Sequence, residues 1–447
     1  MFPPSPRLPA VLQTVRFLRT PFSLLHECFE SLGPVFHLRL LGLGKWVFVS
    51  EPELIKTLFK ADPDVVRSGE INSRQLGFLL GLDATFSKDG DDHLRRRRLV
   101  LPHFNGPGAK DLLPLIRERT LVAIDRWPHD TFAFQSWAHR LSLDVLGHAM
   151  FSASTDEQID ELVERFDRFA TDGLRSPLIM MPWLQVDLGR WSPWGRVLEL
   201  RRRVFDAVRM LVRDRLADRE GYDQSDIASK MAGSREADGS FLSEDALVEE
   251  IVNDIFAGHE TTGNILSWCL ECVTSRPDVR DRLREELDRV LAGRPIEASD
   301  LRQLPYLHAV IQEAIRYRPL APMAGMRLTK EPFTLGQFRL PPETIVVQCF
   351  PVMANRTDLY RDPERFDPDH FSDDNKPPAY HWNPFGGGRR MCLGKGLAEI
   401  ELAVIMAEIV RRYDVEICQS KVEPVRDGVF FAPSRGLRVR MTPRPPS

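Results

Sequence analysis

The chain lacks a disulfide framework. Its 447 residues hold six cysteines, at positions 28, 269, 272, 349, 392 and 418. That is too sparse for a secreted, cross-linked scaffold and suits a reducing compartment, so the expected location is the cytoplasm. Cys269 and Cys272 form a C-x-x-C, but no second pair or nearby histidine couple completes a zinc site; on a helix they read as small apolar core residues. The chain also lacks a long apolar run. The N-terminus, "MFPPSPRLPAVLQTVRFLRTPF", is broken by prolines and arginines. Its apolar stretches fall short of the roughly 18 residues that span a bilayer, and no signal-peptide core with a small-residue cleavage site is present. A soluble protein without a membrane segment is expected. Charge of one sign is lacking too. The net charge of -4 excludes a general nucleic-acid binder. There is no internal repeat and no low-complexity tract.

What is there is a hydrophobic content of 43%, enough for a large core, and a pattern that is mostly helical. Residues 34–50 alternate apolar and polar around a glycine pair, which predicts a β-hairpin. "EPELIKTLFKAD" predicts a short helix opened by Pro52. Residues 70–90 are mixed and read as a loop. From about 91 to 220 the period is helical. The break at "RSPLIMMPWLQVDLGRWSPWG" is too apolar and aromatic for an ordinary exposed loop, so it is expected to line or cover a cavity. Ser243 predicts the cap of a long helix running to about Arg276. Further helices are expected at about 278–292, 305–318 and 396–412. Short strands are expected over 326–348 and in the last 35 residues.

Chemistry concentrates at "FGGGRRMCLGKGLA" (385–398). A lone cysteine there is a candidate nucleophile or metal ligand. No Cys/His signature supports the nucleophile. G-x-x-x-x-G-K fails because residue 389 is arginine, G-x-G-x-x-G fails because residue 391 is methionine, and no G-x-S-x-G elbow occurs. A cysteine that holds haem iron fits. Glycines let the loop press against a flat macrocycle. Backbone N–H groups and the start of the following helix, near Gly394, can tune the sulfur. An arginine two residues away, Arg390, can meet a propionate.

Phe385, Gly388, Arg390, Cys392 and Gly394 match F-x-x-G-x-R-x-C-x-G, so the segment resembles the haem-binding loop of the cytochrome P-450 superfamily. Companion motifs follow in the family's order. In "AGHETT" (257–262), Gly258, Glu260 and Thr261 match A/G-G-x-D/E-T. The resemblance makes Glu260 and Thr261 the catalytic acid and alcohol that manage protons for dioxygen. Gly258, Gly263 and the β-branched threonines are expected to open the helix locally. His259 is not a ligand in the family and reads as structural. "EAIR" supplies Glu313 and Arg316 at i and i+3, and "PDHF" supplies His370 as the third member of a structural triad. In this register the earlier "PERF" (363–366) is a decoy. "DGDDHLRRRRLVLPHF" places His93 and Arg97 at i and i+4 as donors to one propionate, with Pro102 and Phe104 following as the family pattern expects. Arg327, in "MAGMRL", is the implied donor to the other.

The resemblance implies a mainly α fold with small β-sheets, a triangular helical prism with a β-rich region. Residues 1–32 read as an N-terminal extension without a transmembrane anchor, and 33–447 as a single haem domain. The implied cofactor is haem b with a cysteine thiolate, Cys392, as axial ligand of the iron. The implied function is monooxygenation: one atom of O2 enters a hydrophobic small molecule by hydroxylation or epoxidation. The alternatives are a peroxygenase, an isomerase or reductase of the family, and a non-catalytic haem sensor. The substrate is expected to be a fatty acid, terpenoid, steroid or polyketide, lined by Leu79, Leu80, Leu82, Ile179, Met180, Met181, Ala257, Met323, Phe430 and Phe431. No fused flavin domain is expected. Electrons would come from an acidic ferredoxin, with its reductase, docking near Arg95, Arg96, Arg98, Arg389 and Lys395. The protein is expected to be a monomer.

Overall fold

A computed structural model describes residues 1–176, 178, 185–217, 226–236 and 239–444. Helices α1 (Ala10–Arg19) and α2 (Pro21–Leu32) lead into strands β1 (Val35–Leu40) and β2 (Gly44–Val49). Helix α3 (Pro52–Lys60), strand β3 (Val66–Arg67) and helix α4 (Gly90–Phe104) follow. Helices α5 (Phe134–Phe151), α6 (Pro193–Ala217), α7 (Glu244–Thr274), α8 (Pro277–Leu291) and α9 (Pro305–Tyr317) make up the helical middle of the chain. Strands β4 (Ala324–Thr329) and β5 (Ile345–Gln348), helix α10 (Lys395–Arg412), and strands β6 (Tyr413–Ile417), β7 (Pro424–Asp427), β8 (Phe430–Pro433) and β9 (Arg438–Pro443) come after them.

Local chemistry sets many of these boundaries. Proline opens α2, α3, α6, α8 and α9, where its missing N–H is not needed and its fixed φ already suits a helix. The Ser243 hydroxyl accepts the Ala246 N–H at 3.1 Å and caps α7. The expected hairpin forms, with β1 antiparallel to β2 and Val35 opposite Val49.

The chain forms two compact units. The first comprises Met1–Phe78, Thr85–Leu94 and Ile315–Cys392. It holds a five-stranded sheet in the order β1-β2-β5-β4-β3. Phe36 and Phe48 stack on one face at 5.6 Å, and Phe17, Leu24, Leu25 and Cys28 of α1 and α2 join the same core. The two helices of the first 32 residues thus contribute side chains to this unit's core. The second unit comprises Leu79–Ala84, Arg95–Ala314 and Leu393–Ser447. Its centre is α7, packed along α5, with Trp268 buried and its Nε1 donating to the Phe431 carbonyl at 3.3 Å.

Two expectations change. Residues 69–87 are not a loop but a run of short helical turns. The cause is a carboxylate distant in sequence: Asp89 accepts the N–H groups of Ser68, Gly69 and Glu70 at 2.8–2.9 Å, which satisfies the free donors of a helix start. The second is α7, which runs unbroken through residues 257–263. Its glycines serve close packing instead. A Cβ at Gly258 would meet the Leu146 side chain at 2.8 Å, and one at Gly263 would fall on the ring and backbone of His139, both residues of α5.

Candidate active site

In the first unit, the cysteine loop takes its shape from glycine. Gly386 and Gly388 have φ of +69° and +64°, in the left-handed region that side chains avoid. A Cβ at Gly388 would also strike the Phe59 carbonyl, and one at Gly387 the Phe59 ring. The loop is therefore pressed onto the end of α3. The Cys392 N–H donates to the Phe385 carbonyl at 2.9 Å, closing the loop. Cys392 is exposed, whereas Cys28, Cys269, Cys272 and Cys349 are buried and Cys418 is half-buried. Gly394 is the cap residue of α10, as the sequence places it, and Phe385 is half-buried with its ring 6.3 Å from that of Trp382.

Beside this loop lies a cavity of about 210 Å³ whose wall includes Phe59, Asp89, His93, Arg327, Arg389 and Arg390. Arg390 is tied to Asp89 at 2.6 Å and donates to the Lys88 carbonyl, so its guanidinium joins the loop to the segment before α4. Sequence reasoning had aimed Arg390 at a propionate and had missed Asp89, although Asp89 opens the charged run quoted above. Arg327 is buried above the Phe59 ring, with its guanidinium carbon 5.5 Å from the ring centre. It forms no ion pair among the described residues. Burial pulls its pKa down to about 10, the neighbouring charge of Arg390 adds to this, and Asp89 only partly opposes it. A wall with this excess of buried positive charge calls for an anion. The two carboxylates of haem supply one, so the residues fit the group. His93 is buried in the same wall, and Arg97 is half-buried one turn further along α4.

In the second unit, α7 is buried nearly all round over residues 250–273, except for a stripe. Ala257 is exposed, and Asp254, Gly258 and Thr261 are half-buried. These positions recur at helical spacing on one face. The Thr261 hydroxyl donates to the Ala257 carbonyl at 2.8 Å. Glu260 is buried, and its carboxyl is pushed up to about 7, chiefly by burial and secondly by Asp427; Arg175 acts against the rise. Around it runs a polar network that sequence reasoning missed. Arg175 pairs with Asp427 at 2.5 Å. Gln135 donates to Asp427 at 2.6 Å and to Asn264 at 2.9 Å, and His139 shares the Asn264 oxygen at 3.0 Å. Its members come from α5, α7, the end of β7 and the turn before residue 176, so no local spelling could reveal it. His259 is buried beside Phe166, Phe256 and His139, with Nδ1 on the Ile255 carbonyl at 3.1 Å, and burial pulls its pKa down to about 3. It is a core histidine.

Other candidates divide. Glu313 and Arg316 are fully buried on α9. Arg316 donates to the carbonyls of Ala354, Pro363 and Arg365 at 2.6–3.1 Å. The PERF segment thus takes part, through its backbone. His370 meets the Arg361 carbonyl, and the Tyr360 ring lies near both His370 and Arg316. Among the expected pocket residues, Leu79, Leu80 and Phe431 are buried in the core, Leu82 is 64% exposed, and Met323 and Phe430 are half-buried. Ile179, Met180 and Met181 lie outside the described residues. Arg96 is not on the surface. It is buried, donates to the Asp83 carbonyl at 3.3 Å, and faces Glu236 and Glu250 at 3.6 and 3.8 Å. Lys395 is half-buried, 3.8 Å from Glu399.

A family model described as Cytochrome P-450 matches residues 3–440. A putative cytochrome P-450 138 of Mycobacterium bovis is 32% identical over 444 residues, covering 99% of this chain and 96% of the relative. A putative cytochrome P-450 135B1 of the same organism is 33% identical, covering 98% of this chain and 91% of the relative. Among solved structures, retinoic acid bound cyanobacterial CYP120A1 superposes with a TM-score of 0.86 at 24% identity, covering 99% of both chains.

Proposed function

The chain belongs to the cytochrome P-450 family, a family of monooxygenases that bind haem through a cysteine thiolate, and from that premise we propose that Cys392 is the iron ligand. One observation carries the assignment: Cys392 is the exposed cysteine of the six, at the closed end of a loop that only glycine can shape. When bound, the haem supplies the oxidising chemistry, and its thiolate ligand favours O–O cleavage. The chain's own residues bind, orient and move protons. Arg327 is the buried cation for one propionate, and His93 with Arg97 serves the other. Arg390 acts through Asp89, holding the loop rather than the cofactor. Glu260, poised near neutral pH, holds the proton that is needed, and the Thr261 hydroxyl passes it on. The substrate is a hydrophobic small molecule that is hydroxylated or epoxidised, with Ala257 on the open stripe of α7 among its contacts. Electrons come from a separate ferredoxin and its reductase.

The test is spectroscopic. The reduced carbon-monoxide complex should show the red-shifted Soret band of a thiolate-ligated haem, and Cys392→Ser should abolish it. Persistence of that band in the variant overturns the assignment.

A further inference from the structure

Two neighbouring side chains of α7 carry buried polar atoms without protein partners. Asn253 is 5% exposed, and its buried Nδ2 has no hydrogen-bond acceptor among the described residues. Asp254 follows it on the half-buried stripe, and its buried Oδ2 is likewise without a donor among those residues. The acids just before them are treated differently. Glu249 accepts the Asp83 N–H at 2.5 Å, and Glu250 faces Arg96 at 3.8 Å. An unmatched buried donor and an unmatched buried acceptor on adjacent residues each carry a desolvation cost. A site that hydrogen-bonds its substrate is built from such groups.

Their place on the helix says what they face. Asn253 lies about 40° to one side of Ala257 and Asp254 about 60° to the other, both one turn nearer the start of α7. Ala257 is the exposed residue of the stripe, and Thr261 lies one turn beyond it. The two side chains therefore straddle the line that leads to the acid–alcohol pair, roughly 5 Å before Ala257 and roughly 11 Å before Thr261 along the axis.

The chemistry of the two groups narrows the ligand. An amide N–H donates, and an unpartnered carboxyl oxygen accepts. Burial first, and the charge of Glu250 second, hold Asp254 well above the ordinary carboxyl range. It is therefore uncharged near neutral pH and offers a cation no countercharge. A ketone would satisfy Asn253 alone, and a carboxylate would meet the charge of Glu250. A hydroxyl satisfies both groups, because its oxygen accepts from Asn253 while its proton goes to Asp254.

We propose that Asn253 and Asp254 form a subsite for a hydroxyl group, so that the substrate is a hydrophobic alcohol anchored on α7 by its hydroxyl, with the carbon to be oxidised lying further along the helix toward Thr261. This deepens the monooxygenase reading and rests on it.

The experiment titrates the holoenzyme with 1-alkylimidazoles. Their ring nitrogen ligates ferric haem and shifts the Soret band, so binding of each probe is read directly. Tails of increasing length end in methyl, hydroxyl, ammonium or carboxylate. At one tail length the hydroxyl should bind at least about tenfold more tightly than the methyl. Asn253→Leu and Asp254→Leu should each remove that preference while methyl-ended probes bind as they do to wild type. Asp254→Asn keeps an acceptor oxygen and should retain most of the preference. The reduced carbon-monoxide spectrum keeps the two readings apart. A thiolate band with no hydroxyl preference at any length overturns the subsite and leaves the haem assignment standing, as does a preference that survives both leucine variants. Tightest binding of the ammonium tail, lost in Asp254→Asn, makes the site one for a cation and overturns the hydroxyl. Absence of the thiolate band in wild type overturns both readings.

Discussion

Glu260 shows how burial at one residue becomes chemistry. A carboxyl pushed up to about 7 is mostly protonated below that pH and can give up a proton; above it the carboxylate cannot donate. Product formed per electron consumed should therefore fall as pH rises through about 7. Asp427 helps to hold the value up and Arg175 opposes it. Asp427→Asn removes the carboxylate and leaves the arginine, so the falling limb should move to lower pH; a limb that stays in place removes Glu260 as the titrating group. Thr261 is testable separately. Among the described residues its hydroxyl bonds back to its own helix at Ala257, so Thr261→Ala should fold, load haem and bind substrate. It should release several-fold more peroxide per product, and unchanged coupling would refute its role.

Among the elements, α7 and α10 show what packing demands. The glycines of α7 suggested a locally opened helix from sequence, because glycine weakens helices. The structure uses Gly263 for approach to α5 at His139, a reason that only the neighbouring helix reveals. Gly263→Ala should lower stability by ~1–3 kcal/mol through overpacking, measured as a drop in melting temperature. On α10, burial pushes Glu401 up to about 8 from an ordinary value of 4.5. A raised acid contributes fully below the unfolded value, and the contribution is lost as pH rises through the folded one. Glu401 should thus cost wild type stability on the order of 5 kcal/mol between about pH 4.5 and 8, and Glu401→Gln should lose that much less than wild type over the same range. Helix starts were legible because proline and Ser243 act within a few residues of where they stand. The turns over 69–87 were not, because Asp89 organises them from a distance.

For the whole molecule, motif spelling carried further than position. The glycine-shaped bend of the cysteine loop and the start of α10 at Gly394 were readable because their causes are local. The Glu260 network, the tie of Arg390 to Asp89 and the assembly of each unit from separated stretches were not. Arg96 shows the same limit in the expected docking of an electron donor. Four consecutive arginines must spread around a helix, but sequence alone does not say which turns inward. The structure buries Arg96 against Glu236 and Glu250 and leaves Arg95 and Arg98 exposed on α4. Arg389 is exposed on the cysteine loop. If an acidic ferredoxin is steered to these cations, Arg98→Glu and Arg389→Glu, each measured alone, should slow the bimolecular reduction of the haem several-fold at low salt. The difference from wild type should vanish as salt screens the encounter. Arg96→Glu belongs to a different class. It strands a third negative charge beside buried Glu250 and half-buried Glu236, so it should fail by losing folded, haem-loaded protein rather than by slower encounter. A well-folded Arg96→Glu protein that is reduced slowly, with Arg98→Glu and Arg389→Glu unaffected, would reverse the assignment of which arginine meets the donor.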